Sequence, residues 1–264
     1  MKLSLLEKYD GFLFDIDGTI TLGERLLPGA RDVIDRLAAF NKPYLLLTNN
    51  PYRETASMAQ QLQRLGIPVD ESQIVTAGMA AAHLVRERIG AGAVTYVMGS
   101  EALLNACRKA GLIVTQKGRE PGIRAAVVGG FMDFSYDHLR EANWAVRACE
   151  LFTATNRDPV FPTEEGLWPG TGAIVAAVET ASGRKAITAG KPSPFIYAMA
   201  REVIGKADRL LMVGDSLDTD IAGGQQAGMD TALVRTGNGA RASVSDHGDV
   251  RPTYTIETLQ ELLI

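Results

Sequence analysis

The sequence predicts an α/β fold: parallel sheet covered by helices, with the strands shared between two α/β units. Two observations predict it. Short apolar runs alternate with helical periodicities from end to end, as in repeated strand–helix–strand units. Several of those runs end in carboxylates, hydroxyls and amides, as the carboxyl edge of an open parallel sheet does. The number of strands points to more than one unit. With 264 residues, one sheet holding every strand would be large, so two α/β units are expected.

The strands and helices follow in order. Phe12-Leu13-Phe14 reads as a strand, followed by a helix with apolar positions Ala30, Val33, Ile34, Leu37 and Ala38. Tyr44–Leu47 is the next strand, followed by a helix through Met58, Ala59, Leu62 and Leu65. In the middle, 95–98, 125–128 and 152–155 read as strands, and Leu139, Ala142, Val146 and Cys149 mark a helix between the last two. Late in the chain come Leu210–Val213, a helix over roughly 217–227, and Ala232–Val234. A weaker run, Ala186–Ala189, leads into Gly190-Lys191-Pro192.

Composition narrows the function classes. Hydrophobic residues make up 46% and charged residues 22%, so the chain is globular rather than disordered. Lys+Arg is 27 and Asp+Glu 31, a net charge of 27 − 31 = −4. A broad nucleic-acid surface needs a basic domain, which this balance does not supply. Any anionic ligand must be held by a local site. The two cysteines, Cys107 and Cys149, are too few for a disulfide framework and read as reduced packing residues. No apolar run reaches the length of a membrane span, and the first residues lack a signal-peptide pattern. A soluble, cytoplasmic protein is expected.

The chemistry is concentrated where strands end. After Phe14 come Asp15-Ile16-Asp17-Gly18-Thr19; after Leu47 come Thr48-Asn49-Asn50-Pro51; after Val213 come Gly214-Asp215-Ser216-Leu217-Asp218-Thr219-Asp220. Carboxylates from different strands suit a hard cation such as Mg²⁺. A lysine, a threonine hydroxyl and backbone N–H groups suit a phosphate. Asn50-Pro51 and Ser193-Pro194 read as helix N-caps followed by proline. Asp15 is the candidate nucleophile, attacking phosphorus to form an aspartyl-phosphate. Asp17, two residues on, is the candidate general acid and base, with the Thr19 hydroxyl orienting it. Alone, D-x-D-G is a capped turn; the other strand-end residues give it chemical meaning.

Competing motifs fail on their own terms. An EF-hand starting at Asp15 would need Gly and Glu where Ile20 and Leu26 stand, and one starting at Asp218 would end on Met229. Gly237-x-Gly239-x-x-Ala242 has too little chain after it for a dinucleotide unit and reads as a loop. A phosphate-binding G-x-x-x-x-G-K-[ST] loop does not occur, and His83, His138 and His247 lack metal-ligand spacing.

Taken together, Asp15-Ile-Asp17-Gly-Thr19, Thr48-Asn49, Gly190-Lys191-Pro192 and Gly214-Asp215-(x)₄-Asp220 resemble the four ordered motifs of the haloacid dehalogenase superfamily. Ala154–Asp158, Pro169–Gly172 and Gly190–Pro194 are similar to its NagD-like and p-nitrophenyl phosphatase branch, which carries a type-2 cap. The resemblance implies a Rossmann-like core over 1–78 and 188–264 and an α/β cap over 79–187. It implies an Mg²⁺-dependent phosphatase of small phosphomonoesters. Asp15 would be nucleophile and metal ligand, Asp17 general acid/base with its carbonyl on the metal, and Asp215 the third ligand. Thr48, Asn49 and Asn50 would hold phosphoryl oxygens, Lys191 would neutralise them, and Ser216 and Asp220 would support the last loop. From the cap, Asn156, Arg157 and Asp158 are candidates for contact with the leaving group. A phosphotransferase or mutase, and a non-catalytic binder of phosphorylated metabolites, are the alternatives. A small phosphate ester is the expected partner, with neither nucleic acid nor membrane; a homodimer is left open. Residues 160–168 match no substrate pattern.

Overall fold

The computed structural model describes residues 4–163, 165–237 and 248–264. Gly239, Ala242 and His247 therefore lie outside the described residues. The chain forms two compact units. The first comprises residues 1–48, 55–75 and 191–264, and the second 49–54 and 76–190. The expected divisions were 78/79 and 187/188.

In chain order the elements are α1 (Leu5–Lys8), β1 (Gly11–Asp15), β2 (Thr21–Leu22), β3 (Arg25–Leu26), α2 (Ala30–Ala39), β4 (Tyr44–Thr48), α3 (Thr55–Arg64) and β5 (Ile74–Thr76). There follow α4 (Ala77–Ile89), β6 (Val94–Met98), α5 (Glu101–Lys109), β7 (Ile113–Thr115), β8 (Ala125–Val128), α6 (Tyr136–Ala148) and β9 (Leu151–Ala154). Then come β10 (Val160–Thr163), β11 (Gly166–Pro169), α7 (Thr171–Ser182), β12 (Ile187–Thr188) and α8 (Pro194–Ile204). The chain closes with β13 (Leu210–Gly214), a wide helical turn over Leu217–Ile221 running into α9 (Ala222–Gln226), β14 (Asp230–Val234) and β15 (Tyr254–Ile256).

The first unit is built on a six-stranded sheet in the order β15-β14-β13-β1-β4-β5. β1 lies parallel to both β13 and β4. Every residue of β1, β4 and β13 is buried, as strands covered on both faces must be. Phe12 and Phe14 stack at 6.0 Å and meet Val33, Ile34 and Leu37 of α2 and Met58 and Leu62 of α3 in one apolar cluster. Register sets the site. Asp15 is level with Leu47, and Phe14 with Val213. Asp15, Thr48 and Asp215 consequently reach the same carboxyl edge.

The second unit carries a five-stranded sheet, β12-β9-β8-β6-β7, all parallel. One face is sealed by Ala142, Ala145 and Val146 of α6 and Ile174, Val175 and Val178 of α7. β10 and β11 pair antiparallel, so the described residues of the segment that matched no pattern lie in strands.

Two expectations change and a third holds in part. The run Ala186–Ala189 does not extend the first unit's sheet; β12 pairs with β9 in the second unit. Its β-hydrogen bonding continues through Ala189 N–H to Ala154 O and Gly190 N–H to Thr155 O. Lys191 thus enters the first unit from a loop, not from a core strand. Asn50 is not a helix cap either. Its Oδ1 accepts from the Tyr52 N–H at 3.0 Å, an Asx turn, and α3 begins only at Thr55. Ser193 does precede α8 with Pro194 in its first turn, but its side chain makes no capping hydrogen bond.

Candidate active site

β1 ends at a tight turn. The Ile20 and Thr21 N–H groups both donate to the Ile16 carbonyl, and Gly18 N–H to Thr21 O. This turn buries Asp15 and leaves Asp17 exposed two residues later. The difference is chemically useful. A buried carboxylate is shielded and fixed, whereas an exposed one exchanges protons with solvent.

Lys191 reaches the buried end of the pair. Its Nζ donates to Asp15 Oδ1 at 2.5 Å and to Asp220 Oδ1 at 2.7 Å, and all three side chains are almost completely buried. Burial pulls the ammonium pKa down, but the Asp15 and Asp220 charges outweigh it and hold Lys191 protonated, above the usual lysine range. Burial drives the Asp15 pKa up against the pull of Lys191, helped by Asp220 and Asp215.

Asp220 spans two partners, Lys191 through Oδ1 and the Ser216 N–H through Oδ2 at 3.1 Å. Ser216 Oγ accepts from the Thr219 N–H and starts the turn that carries Asp220. The Tyr197 hydroxyl donates to Thr219 O at 3.0 Å on the same turn. Asp220 is therefore occupied in holding the loop and the lysine.

The residues fit a divalent cation. Asp15, Asp215 and Asp220 offer carboxylate oxygens within 4.8 Å of one another, all buried. Asp15 Oδ2 is buried with no hydrogen-bond partner. A buried anionic oxygen left this way is costly, and a cation satisfies it. The donor set is all oxygen, the preference of Mg²⁺. Asp220 already holds Lys191 and the Ser216 N–H, whereas Asp15 keeps one buried oxygen without a hydrogen bond. The Asp17 carboxyl is not part of this cluster.

Sequence reasoning missed one strand end. After β14, the Thr236 hydroxyl donates to Gly18 O at 2.5 Å. A Cβ on Gly237, whose φ is +47°, would lie 2.2 Å from Asp215 Oδ2 and 2.7 Å from Gly18 Cα. The two glycines leave room for the Asp215 carboxylate. Their place after an apolar run is visible in the sequence, but their contact with Asp215 and Gly18 depends on β14 lying beside β13.

Other expected roles sort as follows. Thr48 is buried at the end of β4. Thr19 is buried with its Oγ1 unpartnered, so it does not orient Asp17; the Gly18 turn carries its side chain inward. Arg157 is engaged within the second unit. Its Nε donates to Thr188 Oγ1 at 2.8 Å, and its Nη2 to Glu179 Oε1 at 2.5 Å and Ala186 O at 3.1 Å. Asn49, Asn156 and Asp158 are brought together within the second unit, where both amides donate to Asp158 Oδ2. Cys107 and Cys149 are free and buried, and burial pushes the Cys107 thiol up to about 12. His83 pairs with Glu87 at 3.3 Å, and His138 Nδ1 lies 2.9 Å from Ser135 Oγ.

Comparison with known proteins places this geometry. Residues 12–113 match the family model of haloacid dehalogenase-like hydrolases, and 188–262 match the HAD-hydrolase-like model. Chronophin of Mus musculus is 37% identical over 98% of this chain and 94% of its own length. Acid sugar phosphatase of Staphylococcus aureus (strain USA300) is 33% identical over 98% of both chains. A crystal structure of glycerol phosphate phosphatase from Mycobacterium tuberculosis in complex with magnesium superposes with a TM-score of 0.91, at 35% identity over 100% of this chain and 79% of that one. With relatives this similar along nearly its whole length, the chain belongs to the haloacid dehalogenase-like hydrolases.

Proposed function

We propose that this hydrolase is an Mg²⁺-dependent phosphatase of small-molecule phosphomonoesters that works through an aspartyl-phosphate on Asp15. One observation carries the reading: Asp15 is buried with Oδ1 bound to Lys191 and Oδ2 unpartnered, two residues before the exposed Asp17.

In the first step an Asp15 carboxylate oxygen bonds to phosphorus and the ester P–O bond breaks. Protonated Asp17 gives its proton to the departing alkoxide, so the alcohol leaves neutral. In the second step the Asp17 carboxylate takes a proton from water as that water attacks phosphorus. The acyl-phosphate bond breaks, inorganic phosphate forms and Asp15 is restored. Lys191 neutralises the phosphoryl oxygens and keeps Asp15 oriented between turnovers, and Thr48 and Asn49 bind the phosphoryl group. Asp15 and Asp215 would hold the cation, joined by the Asp17 carbonyl. When bound, Mg²⁺ offsets the repulsion between a carboxylate nucleophile and a phosphate dianion.

Relatives named for a sugar phosphatase and a glycerol phosphate phosphatase support small phosphate esters as the substrate class. We assign the second unit a cap role; its insertion between Thr48 and Lys191 supports this. Two free, buried cysteines support a cytoplasmic location. Among the described residues no helix is long and apolar enough to cross a membrane.

The test is phosphate release from p-nitrophenyl phosphate with Mg²⁺, with EDTA, and with Asp15→Asn. Release that needs the metal and falls by about 10³-fold or more in Asp15→Asn is expected for loss of a nucleophile. Release persisting in Asp15→Asn at near wild-type rate rules the assignment out.

A further inference from the structure

The first unit buries a tyrosine that belongs to none of the sequence motifs. Tyr197, near the start of α8, has no exposed surface. A buried phenol needs a partner for its hydroxyl. Here the hydroxyl meets two successive carbonyls, Thr219 O at 3.0 Å and Asp220 O at 3.4 Å. A phenol has one hydrogen, so the nearer carbonyl takes the bond and the second shares it. The ring is seated as closely. A Cβ on Gly223, in α9, would lie 2.4 Å from Tyr197 Cε2. The phenol therefore rests on bare backbone just beyond the turn that it binds.

That turn is unusual. The Asp220 and Ile221 N–H groups both donate to Ser216 O, at 3.0 and 3.1 Å. Widening a helical turn to reach back five residues gives poorer hydrogen bonding than a regular helix, so a side-chain brace has more to add. The turn also carries Asp220, whose carboxylate has no slack. Oδ1 accepts from Lys191 Nζ at 2.7 Å and Oδ2 from the Ser216 N–H at 3.1 Å. A Cβ on Gly214 would stand 2.2 Å from Asp220 Cγ. Lys191 Nζ donates in addition to Asp15 Oδ1 at 2.5 Å. All of these residues belong to the first unit. A shift of the turn must pass through the Asp220 carboxylate to the ammonium.

We infer that Tyr197 is a positioning residue: its hydroxyl fixes the turn that carries Asp220, and Asp220 holds the Lys191 ammonium beside Asp15. This rests on the phosphatase reading, in which Lys191 neutralises the phosphoryl oxygens. Without the hydroxyl, the turn loses its brace and Lys191 is no longer held in one place.

The experiment is a double-mutant cycle on Tyr197→Phe and Asp220→Asn, read in kcat/KM for p-nitrophenyl phosphate well below the melting temperature of every variant. Tyr197→Phe keeps the ring and removes only the hydroxyl. The same cycle is read in the Kd of inorganic phosphate with Mg²⁺ present, by calorimetry. Asp220→Asn is expected to lower kcat/KM about 100-fold and Tyr197→Phe about 10-fold, the range that loss of a supporting contact costs. The double variant should stay at about 100-fold, because both act through one ammonium. Phosphate affinity should show the same coupling. If thermal melting shows that Tyr197→Phe does not fold, Gly223→Ala, which crowds the ring and leaves the hydroxyl, takes its place in the cycle. Wild-type kcat/KM in Tyr197→Phe, with or without a lower melting temperature, would overturn the inference, since the hydroxyl would then serve the fold alone. Additive losses would overturn it too. If wild type releases no phosphate from the ester, the phosphatase reading fails, and the cycle in phosphate affinity decides the inference by the same criterion. Wild type that neither releases nor binds phosphate overturns both.

Discussion

At the scale of single residues, the site works by contrast between neighbours. Asp15 and Asp17 are two positions apart, but one is buried against Lys191 and the other faces solvent. That contrast is set by backbone: Gly18, at φ +97°, lets the chain turn at once after Asp17. The same economy of space governs Asp215, whose Oδ2 would sit 2.3 Å from a Cβ at Gly18 and 2.2 Å from one at Gly237. Gly237→Ala must therefore displace the Asp215 carboxylate or the strand-end loop. The half-saturating Mg²⁺ concentration should rise about tenfold, the lower end of what disturbing a ligand's support costs. A magnesium titration of activity checks this, and an unchanged midpoint would remove Asp215 from the cation site.

At the scale of elements, one buried carboxylate holds the edge of the second unit. Glu179 on α7 accepts from Arg157 Nη2, Lys185 Nζ and the Ala186 N–H. The Arg157 hydrogen bond is the main reason its pKa is held down to about 2, with Lys185 and Ala186 adding to it against the effect of burial. A depressed carboxyl pKa stabilises the fold fully above the unfolded value, near 4.5, and that contribution is lost as pH falls toward 2. Glu179→Gln should lower stability at pH 7 by about 2 kcal/mol, a figure kept small because Arg157 and Lys185 are solvent-exposed. Urea unfolding should show the gap between variant and wild type narrowing from pH 4.5 downward; a gap independent of pH would contradict this. Arg157 also shows what sequence leaves unread. Strand-end position is visible in the order of residues, but the partners that capture a guanidinium lie at 179, 186 and 188 and become neighbours only on folding. The buried strands were legible because β1, β4 and β13 are apolar along their whole length. The exposed strand β11 was not, since Gly166-Leu167-Trp168-Pro169 faces solvent and carries no periodic burial.

At the scale of the whole molecule, one contiguous stretch of chain, 76–190, is inserted into a unit whose own residues are split in three. The four site segments are far apart in sequence, and parallel pairing of β1 with β4 and β13 gathers three of them at one edge. Lys191 arrives from a loop, which is why its run looked like a core strand from sequence. The ordered motifs were legible because each follows an apolar run; the support given by Thr236 and Gly237 was not, because its role depends on β14 lying beside β13. The central claim is covalent catalysis by Asp15, and it can be observed directly. Wild type and Asp17→Asn should be quenched in acid during turnover of p-nitrophenyl phosphate with Mg²⁺, and their peptides weighed by mass spectrometry. Without a base to activate water, Asp17→Asn should accumulate one phosphoryl group on the peptide containing Asp15, labile to hydroxylamine. No adduct in either protein, while wild type continues to release phosphate, would contradict the account.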